Sequence, residues 1–360
     1  MEKEKKILKK PGKLPSIVEN VEKYELFSTF YNTAGGGDLS NTIELWDAIP
    51  KYFVSKKEQN KLRTKDGFLG SLSRDFQIKF NHADSNDENV YVDCSVKIEP
   101  ALIEKDGEEL AFYPAEKEEL VESVLRKFFE DQALGIYDAK KRDAWVRFTL
   151  SGIRNELESR GHSASIAEIK ESIDILSSTK VSFYIKGEQV YKDSIVSSLV
   201  KVDRKKYEND SSSHWACKLP ALISEAIEHG KYSQFDYSLG MSLQTPLARW
   251  LHQLLARRYI QASSDHWYDI YFATVKKNSG YLDAGDKQGQ IRKLEKAIDE
   301  LIKAEVLQGE YEKNAQNDNK KIANIRYRVL ATHSFEKKMK ASNKRKADYE
   351  KRITELDDQN

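Results

Sequence analysis

The sequence predicts an α+β chain of two tandem winged-helix domains, each a helix-turn-helix closed by a β-hairpin wing, with flexible basic termini. Three observations predict it. Twice along the chain, two stretches with apolar residues at helical spacing are followed by two strand-like segments joined through a polar turn. The length of 360 residues suits about two domains. The 39% hydrophobic and 32% charged content fits folded modules joined by charged segments rather than a disordered chain.

The first 13 residues hold six lysines and two glutamates, so residues 1–40 read as a basic flexible arm and linker. Gly35-Gly36-Gly37 has no strand before it and no Gly-Lys-Ser/Thr after it, which makes it a hinge rather than a phosphate loop. Asn41 is expected to begin a helix that runs through Leu45, Trp46 and Ile49 to Pro50. From Gly67 to Pro100, alternation at Phe76–Phe80 and Val90–Cys94 predicts strands around a turn at Asp84–Asp87. A helix follows from about Ala115 to Asp131.

Next, Thr149 can cap a helix carrying Leu150, Ile153 and Leu157, and a turn at Gly161 leads to a second helix with Ile166, Ile169, Ile173 and Leu176. Strands at Lys180–Ile185 and Gln189–Val202, joined by Lys186-Gly187-Glu188, complete a first winged-helix domain over residues 41–207. Glu208–Ser213 is the expected boundary. In the second domain, 208–335, Trp215–Leu219 is a strand and Leu247, Trp250, Leu251, Leu254 and Leu255 mark an amphipathic helix. A shorter element spans Trp267–Lys277, a long helix runs from about Gly285 to Val306, and Val306–Glu312 pairs with Ile322–Leu330. Residues 336–360 read as a charged C-terminal tail.

Several kinds of chemistry are missing. Two cysteines, Cys94 and Cys217, allow neither a disulfide framework nor a paired-cysteine zinc site. The seven histidines include no His-x-His pair, and no P-loop, H-E-x-x-H or G-x-S-x-G occurs. Glu118-Glu119 is expected on a solvated face, and Asp357-Asp358 in the tail. The expectation is therefore no enzyme, no catalytic residue, no metal and no cofactor. With no apolar segment after Met1–Lys6 and no run of about 18 apolar residues, a cytoplasmic location and no membrane partner are expected.

Net charge is +1, but the distribution is uneven. Residues 99–135 carry eleven acidic against four basic residues, and 244–335 carry fifteen basic against eleven acidic. The first stretch should repel phosphate, while the second contains a helix suited to meet it. At about 100° per residue, Leu294, Ile298, Leu301 and Ile302 share a stripe with Ile291. Arg292, Lys293, Lys296 and Lys303 fall on the opposite face, softened by Glu295, Asp299 and Glu300, and Lys287, Gln288 and Gln290 occupy the first turn. Such a helix can read base edges from its N-terminal end while flanking cations hold phosphates. The hairpin after it adds Lys320 and Lys321 at its tip and Arg326 and Arg328 on one strand face.

In the first domain the corresponding helix face carries Glu168, Glu171 and Asp174. That face is expected to serve protein contact or dimerisation, with auxiliary DNA contact from Lys180, Lys186 and Lys192.

Phe148–Leu157 with Gly161-His162-Ser163 and the helix ending Leu176–Thr179, Leu219–Tyr232 with Leu247–Leu251, and Asp286–Leu301 resemble the corresponding stretches of the TrfA-like plasmid replication initiators, iteron-binding Rep proteins with two winged helices. The likeness spans roughly Asn41 to Leu330. It implies a double-stranded DNA-binding initiator that binds origin repeats, helps open adjacent DNA, recruits host initiator and replicative helicase, and represses its own promoter as a dimer. The alternative on the same fold is a dimeric transcriptional regulator of a palindromic operator.

Overall fold

The computed structural model describes residues 38–80, 90–105, 107–130, 134–138, 141–201, 214–229, 231–258, 263–318 and 321–357. The basic arm with its glycines, the turn at Asp84–Asp87, the Glu208–Ser213 boundary and Lys320 lie outside the described residues. The architecture is mixed α+β, with five small antiparallel sheets among the described residues.

Strand β1 (Leu39–Ile43) is followed by a 3₁₀ turn at Trp46–Ala48 and by helix α1 (Lys56–Leu62). The helix expected from Asn41 is thus a strand, and the reason is two carboxylates far along or ahead in the chain. Ser40 Oγ and Asn41 N each donate to Glu130 Oε1 at 2.8 Å, and Thr42 Oγ1 and Ile43 N donate to Asp47 Oδ2 at 2.8 and 2.6 Å. These bonds hold the backbone extended against β12 (Tyr232–Asp236), with Asn41 opposite Gln234.

The long strands β2 (Leu72–Phe80) and β3 (Val90–Glu99) pair as the alternation predicts, and a small hairpin, β4 (Ala101–Lys105) with β5 (Glu108–Phe112), follows. Helix α2 (Glu116–Phe129) then turns part of the acidic stretch inward, Glu118 included, although the sequence predicts a solvated face for that residue. Glu118, Glu122 and Glu130 are all buried. Each has dedicated donors: Ser172 Oγ reaches Glu118 at 2.7 Å, while Trp46 Nε1 and Tyr52 OH reach Glu122 at 2.6 and 2.5 Å. Such pairing is what makes burial of a carboxylate tolerable. Burial nevertheless pushes the Glu130 carboxyl up to about 7, against the pull of Lys127.

Strands β6 (Gly135–Asp138) and β7 (Asp143–Phe148) lead into α3 (Leu150–Ser159) and α4 (Ile166–Ser178), and then into β8 (Lys180–Ile185) and β9 (Glu188–Ser194). Thr149 caps α3 by accepting from Gly152 N at 2.8 Å, and Ser165 and Glu168 form a capping box on α4. Lys186 and Gly187, both left-handed at φ 49° and 86°, make the tight turn between β8 and β9. The segment expected as one strand from Gln189 to Val202 splits at the buried pair Ile195-Val196. Its second part, β10 (Ser197–Lys201), joins β11 (Trp215–Lys218), β7 and β6 in a sheet ordered β10-β11-β7-β6, whereas β8 and β9 extend a sheet ordered β2-β3-β8-β9.

Helices α5 (Ala221–Glu228) and α6 (Tyr237–Ser242) flank β12 and precede α7 (Pro246–Arg258), β13 (Tyr268–Tyr271), α8 (Phe272–Ser279) and α9 (Lys287–Lys303). The hairpin of β14 (Leu307–Asp318) and β15 (Lys321–Ala331) closes this unit in a sheet ordered β13-β15-β14. Beyond it, α10 (His333–Asp357) is a helix whose first turns belong to the core. Phe335, Met339 and Ser342 are buried on one stripe, and Ser342 Oγ bonds Gln234 of β12. One buried apolar cluster runs from Ile43 to Met339, and Arg249 ties α7 to α2 through Glu116 (2.9 Å) and Glu119 (3.3 Å).

Candidate nucleic-acid interface

Helix α9 starts where Asp286 accepts from Gly289 N at 3.1 Å. Its buried residues are Gln290, Ile291, Leu294, Ala297, Ile298 and Leu301, which turns the opposite face to solvent. Lys287, Gln288, Arg292, Lys293, Lys296 and Lys303 are all exposed there. Gln290 is not part of that face. It is buried, receives Lys276 Nζ at 3.0 Å, and donates to the carbonyls of Asp283 and Gly285, so its amide organises the α8–α9 loop.

The acidic residues of the helix are largely committed elsewhere. Glu295 accepts from Lys313 of β14 at 2.6 Å and from Tyr327 OH at 3.3 Å. Glu300 accepts from Thr245 Oγ1 at 2.6 Å and so holds the hydroxyl that accepts from Ala248 N in the first turn of α7. Among the described residues, Arg292, Lys293 and Lys296 make no ion pair, and Asp299 is the one carboxylate of α9 left exposed beside them. One acid paired with a lysine, one turned toward the start of α7 and three unpaired cations leave this face more positive than its sequence suggests.

The β14–β15 hairpin is exposed from Glu312 to Gln316. Lys320 lies outside the described residues, as does the side chain of Lys321. Arg326 and Arg328 do share one face, as alternation requires, but they face partners: Asp269 lies 3.9 Å from Arg326 and 3.2 Å from Arg328, and Glu312 lies 3.7 Å from Arg328. Arg328 also sits over the Trp267 ring at 5.8 Å. Such prior pairing leaves Arg326 and Arg328 less to gain from a phosphate than the unpaired cations of α9.

The sequence reading missed one basic patch. An open groove of about 710 Å³ separates β2 from α8 and the start of α9, with Arg74, Lys276, Lys277 and Lys287 on its walls. Arg74 caps the C-terminal end of α8 by donating to Lys277 O at 2.9 Å and pairs with Asp283. Lys276-Lys277 is visible as a doublet in the sequence, but nothing local indicates that a strand some 200 positions earlier stands opposite it.

In the first unit, Lys180 donates to Ser194 Oγ at 2.8 Å, Lys192 pairs with Glu99 at 3.2 Å, and Lys186 is exposed at the hairpin turn. The three acids of α4 have neighbours of their own. Glu168 completes the capping box and pairs with Lys117 of α2, and Glu171 pairs with Lys105 of β4 at 3.0 Å. Asp174 is half-buried, and its carboxyl is raised by burial against the pull of Lys201.

Among the described residues, no group of three His, Cys, Asp or Glu is placed to hold a metal ion, and no helix is long and apolar enough to cross a membrane. No family model and no curated protein matches the sequence. Solved structures resemble it at low identity. A selenomethionine structure of domains 2 and 3 of RctB aligns with a TM-score of 0.38 at 8% identity, covering 72% of this chain and 91% of that one. A second structure of the same two domains gives 0.38 and 8%, covering 73% and 93%. The Pi initiator protein in complex with iteron DNA aligns with a TM-score of 0.36 at 15% identity, covering 52% and 82%.

Proposed function

We propose that this chain is a non-enzymatic, sequence-specific double-stranded DNA-binding replication initiator in which α9 reads bases from the major groove. The carrying observation is the bare cationic face of α9, where Arg292, Lys293 and Lys296 stand exposed without carboxylate partners while Glu295 and Glu300 are spent on β14 and α7. Residues 246–331 have the helix, strand, helix, helix, hairpin order of a winged helix, and β15 lies between β13 and β14 as that fold requires. The exposed β14–β15 hairpin is the wing. Lys276, bonded to Gln290, and Lys277, paired with Asp93 at 3.4 Å, border this surface along α8 as secondary phosphate contacts.

The first unit, within residues 41–207, serves as a buttress, with the β8–β9 hairpin as its auxiliary contact through Lys186. Origin repeats as the target, and host initiator and helicase as partners, rest on the resemblance of Phe148–Leu157 and Asp286–Leu301 to the TrfA-like initiators. The test is selection of bound duplexes from a random pool by the purified chain. An enriched asymmetric site, bound equally well in direct repeats, supports the initiator. An inverted repeat bound only by dimers assigns the chain to transcriptional regulation, and no enriched motif removes base readout altogether.

A further inference from the structure

A second cavity, of about 290 Å³, lies in the seam where β2 and β3 meet α7, β13 and α8. Its walls are Gln77 and Tyr91 on one side, Trp250, Arg257 and Arg258 of α7 on another, and Tyr268, Tyr271 and Asn278 at its base. Two properties of these walls are unexplained by the packing of the chain.

The first is a buried charge with no direct ion pair. Arg257 is only 8% exposed, yet its guanidinium, with five donors, makes one hydrogen bond, to the neutral hydroxyl of Thr42 at 2.8 Å. Among the described residues no carboxylate pairs with it. Burial pushes its pKa down to about 10, against the pull of Asp47, which Thr42 Oγ1 separates from it, and of Glu44. A buried cation left in this condition is destabilising, and an anion delivered to it from outside would relieve the cost. Arg258, paired with Glu44 at 3.7 Å, adds to the positive charge nearby. Asp269 also lines the cavity, but Arg326 and Arg328 hold its carboxylate.

The second property is aromatic. Three tyrosines and a tryptophan line one small space; Tyr91 is 54% exposed at its mouth, and the Trp250 indole Nε1 is buried with no acceptor. Asn278 Oδ1 accepts from Gln77 N at 2.9 Å, which fixes the amide and leaves its NH₂ as a donor. Flat rings, an oriented amide and an unsatisfied guanidinium together suit a planar polar ring that carries a phosphate.

We propose that the seam cavity binds a free nucleotide, its phosphate on Arg257 and its base against Tyr91 and Tyr268. Because the cavity is walled by both halves of the chain, an occupant stiffens the seam between β2–β3 and the DNA-reading unit. The site is separate from the cationic face of α9, and it is tested without DNA.

The experiment is titration calorimetry of the full chain with AMP, GMP, CMP and UMP, alongside thermal melting. At least one monophosphate should bind with a Kd below about 1 mM and raise the melting temperature, while its nucleoside and inorganic phosphate each bind at least about tenfold more weakly. Tyr91→Ala should weaken binding by at least about tenfold. Because that ring is exposed, the free variant should melt with the parent. Arg257→Lys should lose the phosphate increment, so that nucleotide and nucleoside bind alike; if it fails to fold, Tyr91→Ala decides alone. No saturable binding of any of the four, unchanged affinity in Tyr91→Ala, or binding only of a single-stranded dT oligonucleotide would each overturn the proposal.

Discussion

Helices α4 and α9 hold the same place in the chain order of their units, each the second of two consecutive helices and each followed by a hairpin, yet they end in opposite conditions. Helix α4 is covered. It packs against α2, α3 and β4, and its outward acids are used by Lys117 and Lys105 or half-buried beside β10. Helix α9 keeps one face bare, and there Glu295 and Glu300 are engaged, Asp299 alone among the acids stays exposed, and Arg292, Lys293 and Lys296 make no ion pair among the described residues. The difference is not the sign of the charge but whether each charge already has a partner. A helix whose polar face is satisfied from within has little left to offer a ligand, and one whose cations are unsatisfied does.

The largest expected effect comes from removing that unsatisfied charge. Arg292→Ala combined with Lys293→Ala should lower affinity for the selected duplex by about 100-fold or more, because a good base contact carries about 1–3 kcal/mol. Both side chains are exposed, so melting should change little. Fluorescence anisotropy on the selected site and on a scrambled one separates two outcomes. Loss confined to the selected site assigns base readout, whereas equal loss on both reduces α9 to a phosphate contact and breaks the comparison.

The next effect lies behind α9. His252 of α7 is fully buried between Phe235 and Phe335, with ring centroids at 5.8 and 6.3 Å, and neither ring nitrogen has a partner. Burial pushes its pKa from 6.5 down to about 4. The folded state therefore stays neutral while the unfolded chain takes up a proton below about 6.5. The stability His252 contributes is complete above that pH and is lost as pH falls toward about 4, by about 2 kcal/mol between pH 7 and pH 5. In His252→Phe, the difference in unfolding free energy between those two pH values should shrink by about that amount. An unchanged difference would mean that the ring is protonated in place.

What could be read from the sequence follows the same division between local and distant partners. Thr149 was legible as a cap because the N–H it accepts from lies three residues on, as do those that Ser165 and Asp286 accept from, and the stripe Ile291, Leu294, Ile298 and Leu301 was legible because helical spacing is local. The strand at Asn41 was not legible, since its partners are Gln234 and Glu130. Nor was the burial of Glu118 and Glu122, whose donors are Ser172, Trp46 and Tyr52. At the candidate interface, the exposed positions of Arg292, Lys293 and Lys296 follow from spacing alone. The inward turn of Gln290 and the engagement of Arg326 and Arg328 by Asp269 depend on loops and strands that no window of sequence brings together.

A smaller change sharpens the comparison from the side of α4. Ser165→Ala removes the hydroxyl that accepts from Glu168 N at 3.2 Å and should cost about 1 kcal/mol of stability. Affinity for DNA should stay at the parental value, because this helix meets its own neighbours rather than a groove. A parallel loss of affinity in gel-shift titrations would show that α4 is closer to the DNA than its covered face allows.

The smallest effects belong to the first hairpin, and they decide whether the first unit touches DNA at all. Lys186 stands exposed at the β8–β9 turn, whereas Lys192 is already paired with Glu99 and Lys180 is bonded to Ser194. A lysine with no partner can release a counterion on meeting a phosphate, and one already paired gains less by exchanging a carboxylate for it. Lys186→Ala should therefore lower the slope of log affinity against log salt by about 1 and weaken all duplexes by the same few-fold factor. Lys192→Ala should leave the slope within error of the parent. If instead neither substitution moves the slope, the first hairpin stands clear of the duplex and the whole electrostatic footprint lies on α8, α9 and the β14–β15 hairpin. If both move it equally, prior pairing does not decide which cations meet phosphate, and the distinction drawn between α4 and α9 fails at the site where it is easiest to measure.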